Sequence, residues 1–122
     1  MTNSNSKGEK LSDVLVELKG EYVQRFPAKM IKIRGLFDQQ NWTDLTKEFH
    51  KLKGAGRTYG FPEVSVVCEA LETLCAQPQV TAPLVEKCFP LFQKMQQAWS
   101  EGHLYDLSGD ANAQAILEGV SS

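Results

Sequence analysis

His50-Lys51-Leu52-Lys53-Gly54-Ala55-Gly56-Arg57-Thr58-Tyr59-Gly60-Phe61 reads as the second half of a helix followed by a sharp exit. Upstream of it, Trp42, Leu45, Phe49 and Leu52 recur at intervals of three and four and are continued by Gly56. That spacing is the apolar stripe of an amphipathic helix. At about 100° per residue, the stripe's centre lies roughly 130° from His50. The imidazole is therefore expected to face water while Phe49 beside it points inward. Lys53 and Gly54 sit one turn on, where a side chain at position 50 can meet them. Arg57, two turns on, falls nearly in line with His50. The element presents an exposed histidine, a cation one turn away, and a glycine that leaves the space beside the ring open.

Working outward, Asp38-Gln39-Gln40-Asn41 is a short link. Asn41 is placed to cap a helix over about 42–57, with Asp44 as its capping-box partner. Before the link, Leu11, Val14, Leu15, Leu18, Tyr22 and Phe26 repeat at helical spacing, and Met30, Ile31, Ile33, Leu36 and Phe37 resume it after Pro27. The reading is a long or broken helical segment over about 11–39, with Pro27 as a bend or a restart. Lys29, Lys32 and Arg34 form a small basic cluster on it. Residues 1–9 are polar, lack aromatics and are expected to be disordered. Downstream, Thr58-Tyr59-Gly60 turns the chain and Pro62 opens the next helix at its preferred first position. Val64, Val67, Cys68, Leu71, Leu74 and Cys75 make that helix's buried stripe, with Glu69 and Glu72 sharing one flank. Gln77-Pro78-Gln79 ends it. Pro83 opens a last helix whose inward residues are Leu84, Val85, Cys88, Phe89, Leu91, Phe92, Met95 and Trp99, with a kink expected at Pro90 and a stop at Gly102. Asp110 is placed to cap a short helix through Leu117, either docked or mobile. No strand alternation is visible. Helices of this length on short links predict an all-α fold: an antiparallel four-helix bundle over 10–101 with kinked helices, then a C-terminal tail over 102–122.

At 122 residues and 42% hydrophobic content the chain suits one globular domain. A net charge of −2 gives no reason to expect nucleic acid or an acidic membrane as partner. No run approaches the ~18 apolar residues of a spanning helix, and no signal-peptide layout stands at the start. The expectation is a cytoplasmic protein, free-standing by its starting Met and polar ends. The three cysteines, Cys68, Cys75 and Cys88, are odd in number, and the first two share a helical face with apolar residues. They read as core residues in a reducing compartment rather than as a metal site.

The constellation around His50 resembles the histidine-containing phosphotransfer (HPt) domains of bacterial and fungal phosphorelays, whose signature is His-x-Leu/Ile-Lys-Gly followed by small residues and an aromatic or aliphatic before Gly. Here it stands as His50-Lys51-Leu52-Lys53-Gly54-Ala55-Gly56, then Tyr59-Gly60-Phe61, with Leu71-Glu72 on the following helix. The Gly-Phe ending and the glutamate look most like the phosphotransfer domain of chemotaxis histidine kinases. The resemblance covers roughly residues 10–100. It implies that His50 is the phosphoacceptor and that Glu72 holds its Nδ1–H, leaving Nε2 to react. It implies that Lys53 offsets phosphoryl charge or orients the site, and that Gly54 lets a receiver domain come close. Lys47, Lys51 and Arg57 flank the site and are placed to attract a receiver's acidic pocket, with Glu69 a further binding position. No cofactor of its own is implied, since the receiver brings the Mg²⁺ and the aspartate. Lys51 departs from the pattern, which usually has a small residue nearby; at a solvent-facing position this bears on partner preference.

The first functional reading is a phosphorelay intermediate exchanging a phosphoryl group with response-regulator receivers, fed directly or indirectly by a sensor histidine kinase, and taken as a monomer. No nucleotide-binding element is present, so it is not expected to phosphorylate itself from ATP. The second reading is a non-catalytic helical adaptor that binds and titrates receivers or a kinase. A metal-holding bundle would need inward Glu-x-x-His pairs, and none occurs. His103 has no such company and reads as incidental.

Overall fold

Asn41 and Gly60 bracket the central helix as its sequence requires. The Asn41 side-chain oxygen accepts the Asp44 N–H at 3.2 Å, and the Asn41 amide donates to the Asp44 carboxylate at 3.0 Å. The reciprocal arm is thus between side chains, because the Asn41 N–H is already given to the Leu36 carbonyl. Gly60 ends the helix with φ +85°, and its N–H and that of Phe61 both turn back to the Gly56 carbonyl. A left-handed residue at this position favours glycine because no Cβ is present to clash. Pro62 follows at the first turn of the next helix, where its missing N–H costs nothing.

The structure, a computed structural model, describes the backbone of residues 3–121 and the side chains of residues 13–120. It holds α1 (Asn3–Asp38), α2 (Trp42–Tyr59), α3 (Pro62–Cys75), α4 (Ala82–Glu86), α5 (Cys88–Ser100), a 3-10 turn at Leu107–Gly109, and α6 (Ala111–Ser121). No strand occurs among the described residues.

Two differences from the sequence reading, the start of α1 and the break before α5, have physical causes, and two alternatives left open there are resolved. α1 starts at Asn3, within the stretch expected to be disordered, because extending an existing helix costs little per residue; Met1 and Thr2 lie outside the described residues. α1 also continues through Pro27. The interruption expected at Pro90 falls instead at Lys87, between α4 and α5. A proline gives no N–H to the carbonyl four residues back, here Glu86, and its ring crowds that carbonyl. Finally, the short helix that Asp110 was placed to cap is present as α6, and of the two outcomes left open it is the docked one. α6 packs on α3, α4 and α5, with Ala113 and Ile116 fully buried.

Neighbouring helices run in opposite directions. From α2 to α3, Gly56 meets Ser65 and His50 meets Glu72. From α1 to α2, Tyr22 meets Tyr59, Lys32 meets Glu48 and Phe37 meets Trp42. From α1 to α5, Tyr22 meets Trp99 and Phe37 meets Phe89. Phe26, Phe49, Phe92, Leu45, Leu71 and Met95 fill the space between them. The three cysteines are free thiols in this interior, and burial pushes Cys75 up to about 12 and the other two upward as well. They stay protonated and behave as small hydrophobes.

The α2–α3 contact is tight at one point. A Cβ on Gly56 would stand 2.8 Å from Ser65 Oγ, 3.1 Å from the Phe61 carbonyl and 3.3 Å from Val64 Cβ. Ser65 Oγ donates in turn to the Lys53 carbonyl at 2.8 Å. Gly56→Ala is expected to lower stability by about 1–3 kcal/mol in urea unfolding, since one obstructing atom is backbone and cannot step aside.

α6 is anchored by a buried carboxylate. Asp110 accepts from the Ala113 N–H at 2.8 Å and the Tyr105 hydroxyl at 2.6 Å, with Lys94 at 3.5 Å. Burial alone would raise its pKa, but the Tyr105, Ala113 and Lys94 contacts together hold it below the usual aspartate value. The sign follows. The carboxylate's contribution is complete above the unfolded aspartate pKa and is lost as pH falls through the lower native one. Asp110→Asn is expected to flatten the acid limb of a stability-versus-pH curve measured by chemical denaturation.

Candidate functional site

The amphipathic phase of α2 places His50 on the outer side of the α2–α3 pair, with 65% of its side chain exposed. α3, entering antiparallel from Pro62, brings Glu72 alongside. His50 Nδ1 lies 2.8 Å from Glu72 Oε2, and Lys53 Nζ lies 2.8 Å from the other oxygen, Oε1. One carboxylate thus serves both residues. Hydrogen bonding from Lys53 first, then from His50, outweighs partial burial and holds Glu72 below the usual glutamate range. An ionised carboxylate only accepts. The proton of a neutral His50 ring therefore sits on Nδ1, and Nε2 carries the free lone pair facing outward.

Lys53 is mostly covered, and its ammonium is taken up by Glu72. Gly54 is exposed, and a Cβ there would meet nothing within 4 Å. No contact inside the chain explains a glycine in mid-helix, which weakens the helix relative to alanine. The space it leaves lies beside the ring.

The flanking residues are all on the exposed face, each with an acidic neighbour. Lys51 lies 3.3 Å from Glu48, Lys47 4.0 Å from Asp44, and Arg57 3.9 Å from Glu69. Lys51 points to solvent, as its position on the helix implies. Glu48 is a residue the sequence reading passed over. It lies half-buried at the α1–α2 seam, where it takes Lys32 from α1 at 3.1 Å as well as Lys51. Its pKa is lowered, the two lysines outweighing desolvation. The three-residue interval from Glu48 to Lys51 was visible in the sequence; the reach to Lys32 depends on how α1 and α2 are aligned. His103 stands apart from this group, beside Glu101.

The arrangement is a solvent-facing nitrogen nucleophile with a fixed tautomer and open space for an approaching group. Among the described residues, no set of three or more His, Cys, Asp and Glu side chains is placed to hold a metal ion. Among them, too, no helix is long and apolar enough to cross a membrane. Compared with protein-family models, residues 17–102 match the one described as Hpt domain. No curated protein and no solved structure matches the chain.

Proposed function

Because this chain belongs to the Hpt domain family, whose members carry phosphoryl groups on histidine in two-component phosphorelays, we propose that His50 Nε2 accepts a phosphoryl group from the aspartate of one receiver domain and hands it to another. The observation that carries this reading is the 2.8 Å contact from Nδ1 to Glu72, with the opposite nitrogen left to solvent. In the step, the Nε2 lone pair attacks phosphorus, the N–P bond forms, and the P–O bond to the aspartate breaks with its electrons leaving on the carboxylate. No proton need depart from the ring first. The positive charge that develops on it lies against Glu72, an orienting carboxylate of the kind found beside other activated histidines. Lys53 acts as a positioning residue through Glu72, and Gly54 admits the donor's aspartate and its Mg²⁺. The chain brings no cofactor of its own, and its phosphate comes from a sensor histidine kinase, directly or through a receiver. Lys47, Lys51, Arg57 and Glu69 form the rim that meets the partner.

The scaffold behind this reading is an antiparallel four-helix bundle of α1, α2, α3 and the α4–α5 pair, with α6 added against its α3–α5 side; the opposed helix directions support it. The proposed setting is the cytoplasm, where receivers are found. The test is to mix the protein with a phosphorylated receiver and follow the label. Acid-labile, base-stable label on this chain is the expected result, and its absence with a panel of receivers would end the reading.

A further inference from the structure

α1 carries a second surface that the phosphotransfer reading does not use. Turned about 100° per residue, Val16, Gly20, Pro27, Ile31 and Gly35 fall within one ~100° sector of the helix, roughly 140° round from its inward residues Tyr22, Phe26 and Ile33. Ile31, which the sequence pattern placed among the inward residues, is 75% exposed and Val16 is 69% exposed, the two highest values among the described large apolar side chains. Gly20 and Gly35 each follow one of them by a single turn, and a Cβ on either would meet nothing within 4 Å. The helix therefore bears two protruding apolar groups and two glycines that no internal contact requires. Beside the second pair runs an open groove between α1 and α5, floored by Met30 and Phe89 and edged by Pro27, Ile31, Gly35 and Pro90.

α1 also outruns the helices it packs on. Its rise is about 54 Å for 36 residues, against about 27 Å for the 18 of α2. Tyr59 and Phe61 at the end of α2 reach Tyr22, and Phe61 also lies under the Lys19 ammonium; residues 13–17 stand exposed beyond that point. Val14, Leu15 and Val16 are uncovered there, although the sequence reading counted Val14 and Leu15 in the apolar stripe.

We propose that this face of α1 binds a second copy of the same chain, antiparallel, so that the overhanging half of each α1 lies along the α1–α5 groove of the other. The pattern is self-complementary in one register. With Gln24 opposite Pro27 of the other copy, Ile31 comes opposite Gly20, and Val16 comes opposite Gly35. Glu17, which has no cationic partner among the described residues, comes opposite Arg34, whose exposed guanidinium it would share with Asp38 at 3.3 Å and Glu86 at 3.4 Å. Each pairing occurs twice, as two-fold symmetry demands. Each protruding side chain meets a position without a Cβ, which lets the two backbones approach closely. Asp13 and Asp38 face each other only at the ends of the overlap, where solvent screens them. The pairing uses the α1–α5 side, so His50 on the α2–α3 side of each copy stays open to its partners. A dimer here replaces the monomer expected from sequence.

The full chain is examined by sedimentation velocity over a concentration series. The expected species is a dimer of the 13.6 kDa chain. Ile31→Glu and Val16→Glu should each weaken association by about tenfold or more, because either would bury an unpaired carboxylate. Both positions are exposed in the single chain, so circular dichroism should match the wild type, as should thermal unfolding at dilutions where wild type and variants are all monomeric. Copies carrying Gly20→Cys, mixed with copies carrying Ile31→Cys, should link through a disulfide under mild oxidation, whereas copies with Val16→Cys and Ile31→Cys should not. A chain that stays monomeric into the millimolar range, a dimer indifferent to both glutamates, or the opposite pattern of disulfides would overturn the proposal.

Discussion

His50→Gln is expected to abolish phosphoryl acceptance and leave the fold unchanged. Among the described residues the imidazole's one hydrogen bond is to Glu72, and most of its surface is in water. A glutamine can still donate an amide hydrogen to that carboxylate. Its nitrogen lone pair is delocalised into the carbonyl and does not attack phosphorus. Label transferred from a phosphorylated receiver should fall to background, while thermal unfolding shifts by no more than about 0.5 kcal/mol, as for other exposed substitutions. If variant and wild type take up label alike, His50 is not the carrier. If neither is labelled yet both bind the receiver, the chain is a binding adaptor instead.

Glu72→Gln is expected to slow phosphotransfer on the order of a hundredfold, because the group that fixes the tautomer then donates as readily as it accepts. With an amide beside Nδ1, the ring proton can move to Nε2 and block the reacting nitrogen. The positive charge that develops on the ring also loses its counterion. The same change leaves the Lys53 ammonium, with only 17% of its side chain exposed, without its partner, at a cost of about 1–3 kcal/mol. A pH series separates the two effects. The native pKa of Glu72 is depressed, so its contribution is complete above the unfolded carboxylate value of about 4.3 and disappears as pH falls through the lower native value. The variant should lack that step in stability and be slow at every pH in single-turnover labelling. A variant that transfers at the wild-type rate would mean that Glu72 does not set the reactive nitrogen.

What could be read from the sequence was local. The Asn41 cap, the Gly60 exit and the Pro62 start are each fixed by one residue's own backbone or side-chain chemistry, and they set the ends of α2 and the start of α3. Once α2 and α3 are antiparallel neighbours on a two-residue link, the pairing of position 50 with position 72 follows from helical rise. What depended on distant alignment was not readable. Ser65 gives no sign in the sequence that it will bond the Lys53 carbonyl, and Glu48 none that it will reach Lys32. Val14, Leu15 and Ile31 have the spacing of buried residues, yet whether an apolar residue is covered depends on where the neighbouring helices stop and how they are turned. In the last residues the Asp110 cap was legible, but whether its helix docks was not. Ala113 and Ile116 are few and small for a core signal, and their burial is secured by the Asp110 contacts and the space between α3, α4 and α5.

The ring and the carboxylate that steers it arrive on separate helices, held in step by the close approach at Gly56 and the Ser65 bond. Competence is therefore a property of the packed molecule and not of the motif. A nascent, heat-damaged or partly unravelled copy would still display the same residues, but its imidazole would switch freely between tautomers. Such a copy would drop out of the signalling pool instead of draining phosphate from it.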